Sequence, residues 1–145
     1  MKLMAENKRA RFEYELLETY EAGIVLTGDE IKSVRLGHLS LVDCYGYIKN
    51  GECFLRNGYI KEYSNSFDAG RFGDTSRRDR KLLLHKDEIA KIKRKLETEH
   101  LTLVPTKAYF NNSNLKVEIA VARGKKLYDK RESIKQKDIS RREQY

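Results

Sequence analysis

The sequence predicts a small, mainly antiparallel β-barrel of about five or six strands with two flanking helices. Segments rich in β-branched and aromatic residues alternate with turn-forming residues, which favours strands. Only two segments show the periodicity or capping of a helix, and closing the sheet protects its edges in a chain of this size. The 145 residues suffice for one domain and are too few for two ordinary ones.

The first long strand is predicted over residues 13–26, where Gly23 marks a position at which a strand can bend. A helix over the same residues stays open as an alternative. Thr27 and Glu30 have the spacing of a capping box, and Gly37 can end a helix. The sequence therefore predicts a helix of about two turns after this strand.

A β-hairpin is predicted within residues 41–63. Asn50 and Gly51 separate two aromatic and aliphatic runs, and this dipeptide favours the positive φ values of a type I′ turn. Residues 64–80 are polar and contain several glycines, so they are predicted to form a long loop.

The C-terminal half predicts a short apolar run at residues 81–85, an amphipathic helix over 86–99, and two strands at 102–110 and 115–122. Alternating aliphatic residues give the last strand one buried face. Pro105 indicates an edge or a bulge in its strand.

The positive charge is concentrated in two blocks. The net charge is +8, and the basic blocks lie at residues 71–81, which include Arg78 and Arg80, and at residues 123–145. The second block lacks apolar periodicity and cannot offset the entropy of ordering. We predict a barrel domain at residues 1–122 and a basic, disordered C-terminal tail at 123–145 that folds on a partner.

Two basic blocks on an otherwise neutral body indicate a polyanionic partner, with nucleic acid as the leading candidate. Solvated charge without a partner stays open as an alternative. A membrane surface is disfavoured because the tail lacks an apolar stripe. No segment has the length of a membrane span, and the N-terminal residues lack the apolar core of a signal peptide. We therefore expect a cytoplasmic protein with no membrane contact.

The sequence predicts no catalytic residues, no metal site and no cofactor. The histidines fall in different elements, and neither a nucleophile elbow nor a P-loop is present. Cys44 and Cys53 have no zinc-ligand spacing and are predicted to be structural thiols. Nine tyrosines and five phenylalanines supply stacking groups for RNA, although most are expected in the core. Tyr128, within the tail, is the exception.

Several blocks along the chain resemble the SsrA-binding protein (small protein B) family. They include NKRARFEY at residues 7–14, GDEIKSVR at 28–35, RKLLLH at 80–85 and GKKLYDKR at 124–131. The resemblance extends from residue 7 to residue 142. It implies an oligonucleotide-binding-type (OB-like) closed β-barrel that acts as an RNA-binding adaptor in bacterial trans-translation.

The resemblance implies that the barrel binds the tRNA-like domain of transfer-messenger RNA (tmRNA, or SsrA RNA) and delivers it to stalled ribosomes. The matching residues for this contact are Asn7, Lys8, Glu21, Leu83 and Lys116. By residue type alone, Asn7 could cap a helix and Leu83 could lie in the core. Glu21 and Lys116 could be ordinary charged residues on a strand surface.

The same resemblance implies that the tail enters the empty mRNA channel near the decoding centre of the small subunit and becomes helical there. The matching tail residues are Gly124, Lys125, Lys126, Tyr128, Asp129, Lys130 and Arg131. Elongation factor Tu and alanyl-tRNA synthetase would be partners only through tmRNA, and the protein is expected to be a monomer. The loop at 64–76 departs from the family pattern, so no contact is transferred to it.

Two other functions stay open. One is a general single-strand RNA- or rRNA-binding barrel of the translation machinery, which would bind unstructured RNA and a tRNA-like fold equally. The other is an RNA-processing enzyme that uses Glu21 with a nearby lysine or arginine.

Overall fold

The computed structural model describes residues 1–63 and 73–125, which form nine strands and three helices. The strands are β1 (Lys2–Glu6), β2 (Tyr14–Ile24), β3 (Leu39–Ser40), β4 (Tyr45–Lys49), β5 (Glu52–Arg56), β6 (Tyr59–Ile60), β7 (Arg80–Leu83), β8 (Thr102–Asn111) and β9 (Asn114–Gly124). The helices are α1 (Lys8–Glu13), α2 (Gly28–Arg35) and α3 (Lys86–Thr98). The predicted mainly β architecture with a few helices is confirmed, but the predicted five or six strands and two helices are too few.

Seven strands form one antiparallel sheet in the order β1-β8-β4-β5-β7-β2-β9. β9 also pairs with β8, so the series of pairings from β8 through β4, β5, β7, β2 and β9 returns to β8. β1 and β4 share the other side of β8, where Leu103 pairs with Gly46 of β4 and the residues from Lys107 to Phe110 pair with β1. β3 and β6 form a separate two-stranded sheet.

The main core lies on the inner side of the large sheet. β9 supplies Val117, Ile119 and Val121, and α3 supplies Ile92, all of them buried. The outer side of β9 is buried as well near its C-terminal end, because α1 packs there through Ala10 against small alanine side chains. The prediction of a single buried face for this strand is therefore wrong at Ala120 and Ala122, where the outer face is buried as well.

Three local predictions are confirmed in the first half of the chain. β2 pairs with β9 along nearly its whole length, which excludes the helical alternative for residues 13–26. Thr27 Oγ1 accepts from the Glu30 amide at 3.2 Å and Glu30 Oε1 accepts from the Thr27 amide at 3.0 Å, as a capping box requires. Asn50 and Gly51 have φ values of 52° and 74° between β4 and β5, as a type I′ turn requires.

The C-terminal half also follows the prediction. α3, β8 and β9 lie where the sequence placed them, and the pairing of β8 with β9 shifts register between Pro105 and Lys107, so Pro105 lies at a bulge. β9 continues to Gly124, beyond the predicted boundary of the barrel at residue 122. Part of the predicted loop, residues 64–72, and the predicted tail from residue 126 onward lie outside the described residues.

α1 was not predicted, because its six residues are too few to show a helical period. Its position depends on contacts that are distant in sequence. Asn7 caps the helix by accepting from the Ala10 amide, and its own side-chain amide donates to the carbonyls of Leu41 at 3.2 Å and Pro105 at 3.0 Å. The Asn7 side chain thus links the start of the helix to β8 by hydrogen bonds.

Both cysteines are free and buried, as predicted for structural thiols. Burial raises the pKa of Cys44 to about 12 and that of Cys53 to about 11. The thiolate, which is the reactive form, is therefore disfavoured at both positions. Within the described residues, no helix is long and apolar enough to cross a membrane.

Arg80 is the largest fully buried side chain in the described part of the chain, with 1% of its surface exposed. Its Nε donates to Glu30 Oε2 at 2.7 Å, and Nη1 donates to the carbonyl of Gly58 at 2.7 Å. Nη2 donates to the carbonyls of Thr75 and Ser76. This guanidinium therefore joins β7 to α2, to the turn before β6 and to the segment that precedes β7.

The second arginine at this site, Arg78, pairs with the other oxygen of Glu30. Burial raises the pKa of Glu30, but hydrogen bonds from Arg78, Thr27 and Arg80 outweigh it and leave the pKa below its ordinary value. Arg80 was counted in the first basic block of the sequence as a group available to a polyanion. That interpretation is wrong, because Arg80 is enclosed and neutralised by Glu30.

Replacing Arg80 by methionine should lower the free energy of unfolding by about 3 kcal/mol, because it removes one partner of a buried ion pair and leaves carbonyls without donors. Urea denaturation followed by circular dichroism measures this loss. Arg11→Gln is the control, since Arg11 lies 3.9 Å from Glu6 and 54% of its side chain is exposed. The control should change stability by less than about 0.5 kcal/mol. An equally small effect of Arg80→Met would contradict the role given to the ion pair.

Candidate nucleic-acid interface

Three of the residues predicted from the resemblance lie on one face of the sheet. Gly23 of β2 pairs with Leu83 of β7 on one side and with Lys116 of β9 on the other. Lys116 in turn pairs with Tyr109 of β8. Directly opposed residues of antiparallel strands point to the same side, so these residues form one row across four strands.

A second row lies on the same side, because strand residues two positions apart share a face. Glu21 of β2 pairs with Glu118 of β9, which pairs with Lys107 of β8. The intervening residues Ala22 and Val117 are fully buried, so the two rows face outward. We call this the front surface, which consists of Leu83, Gly23, Glu21, Lys116, Glu118, Tyr109 and Lys107.

Leu83 is exposed over 52% of its surface, so the alternative that it lies in the core is wrong. Its side chain lies against Gly23, where an added Cβ would be 3.3 Å from Leu83 Cβ. The Leu83 side chain therefore lies over the backbone of Gly23, in the space that a side chain at position 23 would take. An exposed apolar side chain of this kind can pack against a base or a ribose.

Glu21 is exposed and accepts a hydrogen bond from the hydroxyl of Tyr109. Burial, together with the hydrogen bond and charge of Glu21, raises the pKa of Tyr109 to about 12, so the phenol stays protonated and donates. One carboxylate oxygen is thus held by a neutral donor. The other oxygen remains available to accept from a base edge or a 2′-hydroxyl.

Lys116 makes no ion pair with any residue that the structure describes. Its acidic neighbour on the strand, Glu118, is occupied by Thr106 Oγ1 at 2.6 Å and lies 3.8 Å from the ammonium of Lys107. Lys116 therefore presents an uncompensated positive charge next to Gly23. Such a lysine suits contact with a phosphate.

The other two predicted residues lie at the start of α1. Asn7 is 5% exposed, and both hydrogens of its amide bond to carbonyls of the protein, so the structural role of a helix cap is confirmed. Lys8, the next residue, is exposed in the first turn of the helix. Asn7 follows Glu6, which pairs with Lys107, so α1 begins at the end of the second row.

Of the predicted tail residues, the structure describes only two. Gly124 pairs with Tyr14 at the start of β2, and the amide of Lys125 donates to the carbonyl of Glu13 at 3.0 Å. The remaining predicted residues lie outside the described part of the chain: Lys126, Tyr128, Asp129, Lys130 and Arg131. Among described residues, no cluster of three or more histidine, cysteine or acidic side chains could hold a metal ion.

The sequence did not indicate that Tyr109, Glu118, Lys107 and Gly23 belong to the front surface. Strand alternation could have placed Glu118 beside Lys116, since the two residues share a face of β9. The pairing of β9 with β2 and with β8, which brings the other residues to the same face, depends on long-range register and cannot be obtained from alternation.

A basic, mainly antiparallel β domain with an open sheet face that carries a free lysine, an exposed carboxylate and an exposed leucine is typical of small β proteins that bind nucleic acids. The comparison with known families agrees with this class. The family model described as "SmpB protein" matches residues 4–145. The chain belongs to the SmpB protein family.

Known relatives resemble this chain over nearly its whole length. The SsrA-binding protein of Mesorhizobium japonicum is 51% identical over 141 residues, which cover 97% of this chain and 87% of the relative. That of Bacteroides thetaiotaomicron is 53% identical over 137 residues, covering 94% and 89%. A solved structure described as "tmRNA-SmpB: a journey to the center of the bacterial ribosome" superimposes with a TM-score of 0.68 at 47% identity and covers 84% of each chain.

Gly23→Ala should displace Leu83, because the new methyl group would be 3.3 Å from Leu83 Cβ. The stability should change by less than about 1 kcal/mol, since the gain from removing a strand glycine offsets the crowding. Methyl NMR spectra measure the displacement, and thermal unfolding measures the stability. Gly28→Ala is the matched control, because a Cβ there meets nothing within 4 Å. Leu83 methyl shifts that are the same in both variants would contradict the close contact between Leu83 and Gly23.

Proposed function

We propose that this protein is the RNA-binding adaptor of trans-translation, which binds the tRNA-like domain of tmRNA through the front surface and delivers tmRNA to stalled ribosomes. The observation that carries the proposal is the convergence of Glu21, Leu83 and Lys116 on one face of the sheet. Membership of the SmpB family supports it, as do relatives named SsrA-binding proteins and a structural neighbour described with tmRNA and the ribosome.

The three side chains offer complementary chemistry for a folded RNA. The ammonium of Lys116 attracts a phosphate without reading sequence. The free oxygen of Glu21 accepts from a base edge or a 2′-hydroxyl, and the exposed Leu83 side chain packs against an unstacked base or ribose. Lys8 adds a cation at the start of α1. Asn7 contributes by fastening α1 in position, since its amide hydrogens are already used.

We assign the fold to an OB-like closed barrel, which is supported by the series of pairings that returns from β9 to β8. The barrel domain and the basic tail are the two functional parts, divided near residue 122. Arg123 and Gly124 still pair with β2, so the tail leaves the sheet from the end of β9. A closed sheet gives the front surface a fixed curvature on which an RNA fold can be recognised.

The tail, in this proposal, reaches the decoding centre of the small ribosomal subunit through the empty mRNA channel. Lys126, Lys130 and Arg131 contact ribosomal phosphates, and Tyr128 stacks on an rRNA base. Elongation factor Tu and alanyl-tRNA synthetase act on the tmRNA bound by this protein. The protein works as a monomer in the cytoplasm and carries out no catalysis of its own.

Lys116→Gln and Leu83→Ser should both weaken binding to the tRNA-like domain of tmRNA, measured in competition with ordinary tRNA and unstructured RNA at two salt concentrations. Loss of one phosphate contact should also reduce the salt slope by about 1 for Lys116→Gln, whereas Leu83→Ser should leave the slope unchanged. Lys91→Gln, on the exposed side of α3, is the charge-matched control. Equal binding of all three RNAs that disappears together with salt would favour the general RNA-binding alternative.

Replacing Tyr128, Lys130 and Arg131 together by alanine in the full chain should preserve binding to the tRNA-like domain but abolish peptide tagging in a reconstituted translation reaction. The reason is that these residues follow the described barrel and lie beyond the front surface in the chain. A matched control replaces Lys135 and Lys137 by alanine, which removes the same number of cations from the tail. Loss of RNA binding in the first variant would contradict the division into barrel and tail.

A further inference from the structure

The outer face of the β4–β5 hairpin carries a stack of aromatic and cationic side chains that the front surface does not include. Tyr47 and Phe54 pair directly across the two strands, and their ring centroids are 5.4 Å apart with planes inclined by 23°. The guanidinium carbon of Arg56 lies 4.3 Å from the ring centroid of Tyr47. We call these three side chains the hairpin stack.

Hydrogen bonds fix the hairpin stack in one geometry. Asp79 accepts from the Tyr47 hydroxyl at 2.7 Å and from Arg56 Nε and Nη2 at 3.3 and 3.1 Å. Arg56 Nη1 also donates to the Tyr45 hydroxyl at 3.4 Å. The donors of Arg56 are thus engaged at the edge of the guanidinium plane, and one face of this plane covers the Tyr47 ring, so the opposite face is the one left to stack. A binding group held in place in this way loses little entropy when a ligand arrives.

The hairpin stack is accessible from solvent. The residues that alternate with the hairpin stack along β4 and β5 are buried on the inner side of the sheet: Gly46, Cys53 and Leu55. Outside, 47% of the Arg56 side chain is exposed, and Tyr45 at its edge is 40% exposed. Three aromatic rings and a guanidinium lie on the solvent side of this hairpin, whose strands are already held in the seven-stranded sheet by β8 and β7.

The hairpin stack is continuous with the front surface through β7. Lys81 pairs with Phe54, and Leu83, two positions along the same face of β7, belongs to the front surface. Lys81 lies 3.3 Å from Glu52, and 43% of its side chain is exposed, so the pair is readily screened. Lys49 is exposed on the other strand of the hairpin, two positions from Tyr47. Lys81 therefore flanks the Phe54 ring on the β7 side, and Lys49 lies beyond Tyr47 toward the hairpin turn, directly opposite Glu52.

We propose that the hairpin stack is a second RNA contact, at which an unpaired nucleobase stacks while Lys81 and Lys49 contact the neighbouring phosphates. Bases of single-stranded RNA stack on aromatic rings and on guanidinium planes, and flanking cations follow the backbone. The site accepts any base, because stacking uses the face that all bases share. The choice of RNA as the ligand rests on the proposed function, and the surface extends that interface toward a single-stranded segment.

A tryptophan placed in the hairpin stack tests the contact directly, because the chain contains no tryptophan. Phe54→Trp leaves the hydrogen bonds of Tyr47, Arg56 and Asp79 in place. Addition of a uridine nonamer should quench the fluorescence of the introduced indole through stacking. Tyr59→Trp is the control, since Arg77 lies 5.1 Å over the Tyr59 ring in a similar cation–aromatic pair elsewhere on the surface. Quenching confined to Phe54→Trp is the expected result.

Affinity measurements on the otherwise unchanged full chain separate stacking from charge. Tyr47→Leu should weaken binding of the uridine nonamer about tenfold and leave its salt slope unchanged. Arg56→Lys keeps the charge but removes the plane, so it should weaken binding as well. Tyr59→Leu should have no effect, and thermal unfolding of each variant establishes that it is folded. Unchanged nonamer affinity in both Tyr47→Leu and Arg56→Lys, with no quenching in Phe54→Trp, would overturn the proposal and leave the hairpin stack a structural cluster.

The tRNA-like domain of tmRNA is titrated in parallel, so that the two proposals can fail separately. If wild-type protein does not prefer the tRNA-like domain but the nonamer still quenches the introduced indole, the adaptor function is contradicted and the stacking site stands. If Lys116→Gln weakens binding of the tRNA-like domain while the hairpin variants leave nonamer binding unchanged, the front surface stands and the stacking site is overturned.

Discussion

The buried ion pair between Arg80 and Glu30 is the interaction on which both exposed surfaces depend. It joins the capped start of α2 to the first residue of β7. The same guanidinium also donates to the carbonyls of Thr75 and Ser76, in the segment before β7. β7 lies between β5 and β2 and carries Lys81 and Leu83 on its outer face. A buried charge is costly unless it is fully paired. The hydrogen bonds of the Arg80 guanidinium therefore hold β7 in position. They thereby also hold the junction between the front surface and the hairpin stack.

Local patterns in the sequence were enough to predict most elements. The capping box at Thr27 and the Asn50–Gly51 turn depend on neighbours along the chain, and both are confirmed. The alternation in β9 is confirmed up to Ile119, and it ends where α1 covers the outer face at Ala120 and Ala122. The predicted roles that failed depend on distant contacts. Arg80 reads as a surface cation within a basic block, but its partner Glu30 is 50 residues away. α1 is held by an amide that bonds to Pro105, 98 residues away. A local sequence pattern cannot show a contact between residues so far apart in the chain.

The candidate interface shows the same division. Glu21, Leu83 and Lys116 could be selected from short blocks of sequence, but their common location follows only from the pairing of β7, β2 and β9. The same pairing adds Tyr109, which orients Glu21, and Gly23, over which the Leu83 side chain lies. The hairpin stack was missed for a related reason. The sequence places most aromatic residues in the core without singling out Tyr47 or Phe54, whereas the alternation of β4 and β5 assigns the core side to Gly46, Cys53 and Leu55.

β9 also sets a length. Lys116 lies near the start of this strand and Gly124 at its end, and eight residues of extended chain span about 26 Å. Because β9 is paired with β2 on one side and β8 on the other, it cannot bend or stretch like a linker. The end of the strand is thus kept at this distance from Lys116 by a rigid spacer. In a larger assembly built on this protein, the length of β9 would set the distance between the Lys116 side of the sheet and the point where the C-terminal chain begins.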